Sequence, residues 1–377
     1  MDFNLTREQE ILRDTVREFA QRELVPNALA LDEKGEFIRD IVKKTAELGL
    51  VGIITSKEYG GNGMGHLARM IAIEELSRVY ASLGFFFQTG QLGIYALENF
   101  GTEEQKRKYL PPLCRADLII STAVTETGGG SDPYTITTTA ELVGDEYIIN
   151  GRKVYISLAP VCDLAVIVAK TGDKFNAFLV ERATPGFDTP VRENFPGLRS
   201  CPVGELVFTN CRVPKSNLVG QEGRGIPIAM ATIGAIGRTG VAGVGLGTAE
   251  GCYEAALKYA KERKLYGKPI AELQALQYML VDANIEIEAA RWLCYYAAWL
   301  LDQGKSPRDA GNEIARSKIY ACNIASQIAL KAIQILGAYG ASPEYELVRR
   351  LNDSIELFAA AGSQEIMKNT IGRSIIS

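Results

Sequence analysis

The sequence predicts an α+β multidomain fold: an N-terminal helical domain over residues 1–112, a β domain over 113–222 and a C-terminal four-helix bundle over 223–377. Three observations carry that prediction. Both flanks place apolar residues at helical spacing, as in Ile11, Leu12, Val16, Phe19 and Ala20. In the middle the period shortens to brief runs rich in Val, Ile, Thr and Tyr, broken by turn residues. Finally, Thr6-Arg7-Glu8-Gln9 and Thr102-Glu103-Glu104-Gln105 read as capping boxes, in which Thr and Gln satisfy helix-terminal N–H groups reciprocally.

Taken in order, the first helix follows Thr6. The amphipathic pattern returns at 40–50 and 67–80 around the loop Gly60-Gly61-Asn62-Gly63-Met64-Gly65-His66, and an apolar helix follows at 85–99. Strands are expected at 118–124, 134–142, 146–149, 153–157, 164–170, 177–181 and 205–210, with Asn150-Gly151 as a hairpin turn. Seven short strands suit a small barrel or a sandwich. Further helices are expected at 248–263, 270–303 and 307–336, where Glu286, Glu288 and Arg291 beside apolar neighbours mark a wet helix face. Near the end, Phe358-Ala359-Ala360-Ala361-Gly362-Ser363 reads as a helix end and a small-residue turn, with Ser363 capping the next helix.

Composition excludes several functions. The chain has 377 residues, 47% hydrophobic and 23% charged, with a net charge of -4 and a pI near 5.5. An acidic surface argues against nucleic-acid binding. No basic, apolar leader is read, and no apolar run reaches membrane-spanning length, so no membrane insertion is expected. Seven scattered cysteines without a CxxC pair point away from a disulfide framework or zinc site, and suit a reducing cytoplasm. The lone histidine, His66, leaves no histidine-based metal site or triad, so no metal is expected and the chemistry is assigned to an organic cofactor.

The first chemical signal is Val124-Thr125-Glu126-Thr127-Gly128-Gly129-Gly130-Ser131-Asp132. Its glycines let backbone N–H groups approach a polar ligand, while Thr and Ser add adaptable hydroxyls. It is neither a Rossmann nor a Walker motif. Together with Tyr155-Ile156-Ser157, Arg263-Lys264-Leu265-Tyr266-Gly267, Gln334-Ile335-Leu336-Gly337-Ala338-Tyr339-Gly340 and the start Phe3-Asn4-Leu5-Thr6, it resembles the acyl-CoA dehydrogenase family over essentially the whole chain. That resemblance implies a homotetrameric FAD enzyme that oxidises an acyl-CoA thioester and passes electrons to an electron-transferring flavoprotein.

By the same resemblance, Val124 and Thr125 meet the flavin edge, and Ser131 meets the CoA pyrophosphate region. Tyr155 stands where the family usually has tryptophan against the flavin, and Ser157 replaces a threonine. Arg263 and Tyr266 match the place where a neighbouring subunit reaches the FAD pyrophosphate and adenine. Gln274, Gln334, Gly337 and Ala338 match further FAD contacts, Ala338 replacing a usual glycine. Ser363, in the place of a threonine, and Glu365 follow the active-site turn as cofactor contacts, and Arg238 matches an arginine that holds CoA.

The turn itself departs from the family. Ala361 occupies the seat of the glutamate that takes the α-proton, and Gly237 occupies the alternative seat used by a minority of members. An alanine cannot accept a proton. Three readings stay open: a non-catalytic subunit, ordinary α,β-dehydrogenation or enoyl-CoA reduction with a base elsewhere, and altered regiochemistry. The third resembles the alicyclic subgroup, which oxidises cyclohexene-carboxyl-CoA type thioesters and also lacks the glutamate; there the Ala359-Ala360-Ala361 run opens space for a ring, with Ala360 and Gly362 as substrate contacts. Gln88 and Gln91 are the polar residues expected at the acyl end, with Gln91 nearly isosteric with a glutamate but no base. Glu98, Asp353 and Glu356 are the nearest acids along the chain.

Overall fold

The computed structural model describes residues 4–376, so Phe3 lies outside the described residues. The first part is helical: α1 (Arg7–Phe19), α2 (Ala28–Lys34), α3 (Arg39–Glu47), α4 (Gly65–Val79), α5 (Ala81–Phe100) and α6 (Glu103–Cys114). Both capping boxes form. Thr6 Oγ1 accepts from the Gln9 N–H while Gln9 Oε1 accepts from the Thr6 N–H, and Thr102 and Gln105 repeat the arrangement. His66 belongs to the first turn of α4 rather than to a loop, and burial pushes its pKa down to about 4.

The β domain comprises β1 (Ile120–Ala123), β2 (Thr139–Val143), β3 (Glu146–Ser157), β4 (Leu164–Thr171), β5 (Lys174–Glu181), β6 (Phe187–Asp188), β7 (Val203–Pro214) and β8 (Leu218–Val219). Its order is β6-β7-β3-β2-β4-β5-β8, with β1 parallel to β4. The sheet is mixed and stays open at β6 and β8, so of the two expected forms the sandwich fits and the closed barrel does not. Asn150-Gly151 is not a hairpin turn. β3 runs straight through it with a register shift between Ile149 and Gly151, and the chain reverses instead at Gly144-Asp145, where Gly144 has φ +64°. Gly151 serves close approach: a Cβ there would sit 2.4 Å from Thr138 Oγ1.

The chain then returns to helix: α7 (Gly225–Thr232), a π-helical turn (Ile233–Arg238), α8 (Thr239–Glu262), the two-stranded β9 (Lys264–Leu265) and β10 (Lys268–Pro269), α9 (Gln274–Asp302), α10 (Gly311–Leu336), α11 (Leu347–Glu356) and α12 (Gln364–Ile376). A stripe of small residues sets α8 against α4. A Cβ on Gly240 would meet Arg69, on Gly243 Ile73 and Met70, on Gly247 the Glu74 carbonyl at 2.2 Å, and on Gly251 the Arg78 carbonyl at 2.1 Å. The apolar runs Gly225–Glu262 and Gly311–Ala341 have membrane-spanning length, but their most apolar windows are 78% and 50% buried inside the fold. The expected wet face of α9 holds in part: Glu288 is exposed, while Arg291 turns to Glu74 and Glu250 and the half-buried Glu286 accepts from Tyr320. α9 also presents Tyr278, Val281, Ile285, Trp292, Tyr296 and Trp299 outward.

Candidate active site

The glycine-rich loop is anchored by a buried ion pair. Glu126 accepts from the Thr137 and Thr138 N–H groups, from Thr137 Oγ1 and, at 2.7 Å, from Lys153 Nζ, which also donates to the Val124 carbonyl. Burial opposes ionisation of Glu126, but the Lys153 and Thr137–Thr138 donors prevail and hold its carboxyl down to about 2. The Val154 N–H closes the frame on the Thr125 carbonyl at 3.0 Å. Val124 and Thr125 are thereby fixed at the end of β1.

Tyr155 sits in the second irregularity of β3, between Lys153 and Ile156, with φ +56°. A bulky non-glycine residue in the left-handed region is strained, and such strain persists where the surroundings impose it. The bulge turns the ring outward, 61% exposed, and it stacks on Phe195 with 6.2 Å between centroids and 21° between planes. Ser157 lies two residues on, its carbonyl held by the Ser121 hydroxyl at 3.0 Å. An exposed aromatic face beside fixed carbonyls and hydroxyls fits a flavin ring and its polar edge. Ser131 is exposed at the end of the loop.

The second half of the site is the turn after α11. Ala361 and Gly362 both have positive φ, +55° and +105°. Lys318, on α10 and 1% exposed, holds the turn by donating to the Gly362 carbonyl at 2.5 Å and the Phe358 carbonyl at 3.4 Å. Arg238 Nε reaches the Ala361 carbonyl at 3.5 Å, and Ser363 Oγ accepts from the Ile366 N–H as the expected cap of α12. Glu365 is exposed in the first turn of that helix. We expect Lys318→Met to leave two turn carbonyls without a donor and to destabilise the protein by about 1–3 kcal/mol. Amide hydrogen exchange should show faster opening of residues 358–363.

The two seats of the family's base meet. A Cβ on Gly237 would lie 3.1 Å from Ala361 Cβ and 3.4 Å from Gln88 Nε2. Gln88 is 3% exposed, and its Oε1 is buried with no hydrogen-bond partner among the described residues. An unsatisfied buried amide oxygen costs about 1–3 kcal/mol unless a ligand or water meets it. Ala360 is half-buried beside this point in the chain.

Gln91 takes a different place from the one expected. Its Oε1 accepts from Arg69 and its Nε2 donates to the Leu50 and Val51 carbonyls at 3.2 and 2.9 Å, so the amide has no donor left for a substrate. The nearby acids are also engaged. Glu98 accepts from the Ser56 N–H, and Asp353 from the Leu198 N–H and Arg349. Glu356 accepts from the Gly197 N–H on the wall of a cavity of about 220 Å³, where burial pushes its carboxyl up to about 8.

The remaining expected residues gather elsewhere. The Arg263 guanidinium sits 5.9 Å from the Tyr339 ring centroid, beside exposed Gln334, Gly337 and Ala338. Tyr266 is 96% exposed at the tip between β9 and β10, and Gln274 begins α9 with its amide on the Tyr278 hydroxyl. No hydrogen bond or ring contact among the described residues joins this set to Tyr155 or the turn. Reasoning from sequence missed Lys153, Lys318 and Arg69, and no motif would have marked them.

Family models cover the chain in three pieces: acyl-CoA dehydrogenase N-terminal domain at residues 6–117, middle domain at 121–211 and C-terminal domain at 223–376. The short-chain specific acyl-CoA dehydrogenase of Clostridium acetobutylicum is 41% identical, covering 100% of both chains. The CarC subunit of the caffeyl-CoA reductase-Etf complex of Acetobacterium woodii is 37% identical over 98% of each. Butyryl-CoA dehydrogenase from Megasphaera elsdenii superposes with a TM-score of 0.96 at 32% identity, covering 100% of both chains. With three domain matches and full-length relatives, this chain belongs to the acyl-CoA dehydrogenase family, FAD-dependent oxidoreductases acting on acyl-CoA.

Proposed function

We propose that the protein oxidises a bulky, cyclic acyl-CoA thioester of the cyclohexene-carboxyl-CoA type by an atypical 1,4-elimination. The observation that carries the proposal is the meeting of Ala361 and Gly237: both seats of the family base face one point, and neither holds a carboxylate. A saturated thioester needs a base at its α-carbon, because that proton is only weakly acidic. A thioester already unsaturated beside the carbonyl offers an acidic proton further along the ring, out of reach of the usual seat. The small side chains of Ala360 and Ala361 leave room for that ring.

In this reading Arg238 holds the CoA portion, while Gln88 closes the acyl end. Tyr155, Ser157, Val124 and Thr125 hold the flavin ring, with Ser363 and Glu365 at its edge. FAD held by these residues would supply the hydride acceptor, with the ring proton released to solvent. Arg263, Tyr266, Gln274, Gln334, Gly337 and Ala338 complete the site of a second copy in a homotetramer, to which the outward apolar stripe of α9 contributes a contact face. Electrons pass on to an electron-transferring flavoprotein, as the name of the caffeyl-CoA reductase-Etf relative suggests.

Enoyl-CoA reduction is the second reading. It is favoured by relatives named 3-(aryl)acrylate reductase and acryloyl-CoA reductase (NADH), 36% and 38% identical. A substrate panel separates the two. We expect cyclohexene-carboxyl-CoA to be oxidised at least about tenfold faster than butyryl-CoA; faster turnover of butyryl-CoA would defeat the ring assignment.

A further inference from the structure

Five lysine and arginine side chains are buried among the described residues: Arg69, Arg78, Lys153, Lys318 and Arg349. Three are ion-paired, Arg78 with Glu75, Lys153 with Glu126 and Arg349 with Asp353. Of the two without a carboxylate, Lys318 holds the turn that has lost its glutamate, and Arg69 crowds Gly240 together with Gln88, which itself lies beside the meeting point of Gly237 and Ala361. Lys318 holds the Gly362 carbonyl directly. Arg69 lies on α4.

Arg69 is 1% exposed. Its Nε donates to Gln91 Oε1 at 2.5 Å, Nη1 to Thr239 Oγ1 at 3.2 Å, and Nη2 to the carbonyls of Phe87 and Ile236 at 3.2 and 3.0 Å. Every one of these acceptors is neutral. They also frame the site: Phe87 and Gln91 flank Gln88 along α5, and Ile236 immediately precedes Gly237. Only glycine at position 240 allows the close approach, since a Cβ there would lie 2.7 Å from Arg69 Nη2 and 2.8 Å from Gln88 Cγ. Burial pushes the guanidinium down to about 9, which still leaves it charged at neutral pH.

A buried charge without a counter-ion is costly, and proteins normally pair it or bind its partner. Beside this one stands the Gln88 amide, buried and with an unpartnered oxygen, at the meeting point of Ala361 and Gly237. With no carboxylate at position 361 or 237, the buried charges nearest this point are the cations Arg69 and Lys318. A site of that sign favours negative charge on what it binds.

We propose that the missing counter-charge comes from the substrate, so that the site selects an acyl group bearing a negative oxygen, with Arg69 as a positioning residue acting through Gln88. The oxygen is either that of an enolate, formed when the acyl group loses a proton to water, or that of a carboxylate at the far end of the acyl chain. This rests on the reading of Ala361, Gly237 and Gln88 as the acyl end of the site.

The test uses FAD-loaded protein and calorimetric binding of three probes: butyryl-CoA, uncharged in its acyl part; acetoacetyl-CoA, which ionises to an enolate; and glutaryl-CoA, which carries a terminal carboxylate. Arg69→Met should weaken at least one charged probe by about tenfold or more while butyryl-CoA changes by less than about threefold, and Arg69→Lys should restore most of the loss. Gln91→Glu places a carboxylate on Arg69 without removing the arginine, so it should reproduce the selective loss even if Arg69→Met does not fold. Selective loss of acetoacetyl-CoA assigns the charge to an enolate, and the pH midpoint of its ionisation on the protein should then rise by about one unit, the equivalent of tenfold. Selective loss of glutaryl-CoA assigns it to a terminal carboxylate. Equal changes for all three probes in both Arg69→Met and Gln91→Glu would overturn the proposal and leave the acyl-site reading standing. Failure of the unaltered protein to bind any of the probes would overturn both.

Discussion

Replacing Ala361 by glutamate is expected to raise α,β-dehydrogenation of butyryl-CoA by at least about 10²-fold, the lower end of what a positioned general base supplies. The backbone is already prepared for it. Ala361 carries its side chain at φ +55°, so glutamate adds no new backbone strain. The Cβ faces the space over Gly237 and Gln88 Nε2, where a carboxylate finds a donor. Buried Arg69 and Lys318 hold it ionised at neutral pH, which keeps it competent as a base while lowering its strength. A folded, FAD-loaded Ala361→Glu protein with no gain toward butyryl-CoA would mean that Ala361 does not occupy the base seat.

Lys153→Met is expected to destabilise the protein by about 3–5 kcal/mol and to weaken FAD retention by at least about tenfold. Removing one partner of a buried pair strands the other charge, here Glu126 at 6% exposure. The Val124 carbonyl loses its Nζ donor in the same step, so the loop loosens where the flavin edge is assigned. The pair also sets an acid limit. Glu126 is held at about 2 in the fold against 4.5 as an ordinary carboxyl. A depressed carboxyl contributes stability that is fully present above pH 4.5 and lost as pH falls towards 2. The difference amounts to about 3 kcal/mol. In Glu126→Gln that contribution should be missing, so its urea-unfolding stability should fall less steeply than the parent's across this window.

Much of the fold was legible because its signals are local. Capping boxes at Thr6 and Thr102 need only four consecutive residues, and the change from helical to strand period is visible in any short window. Asn150-Gly151 misled because a two-residue turn and a bulge use the same permissive residues; what decided between them was Thr138, distant in sequence, pressing against Gly151. The wet face read on α9 held only in part for a related reason. Arg291 looks solvated along the chain, yet besides Glu288 on its own helix it pairs with Glu74 and Glu250 from α4 and α8.

The site shows the same division. Ala361 and Gly237 were recognisable as vacated seats only through the resemblance to the family, and that they face each other is a property of the packed turn and π-helical segment. Gln91 read as an acyl-end residue because α5 passes there; one helical turn along the same helix separates an amide spent on Arg69 from Gln88, whose amide is free. Arg69 carried no motif at all. Its meaning comes from an absence of carboxylates around it, which no stretch of sequence displays.

The central claim, that this site has no base at the α-carbon of a saturated thioester, is tested most directly by isotope exchange. FAD-loaded protein is incubated with butyryl-CoA in heavy water, and deuterium at the α-carbon is followed by mass spectrometry. No incorporation above a protein-free control is expected, with Ala361→Glu introducing it. Rapid α-exchange by the unaltered protein would contradict the account and show that another group already does the work of the missing glutamate.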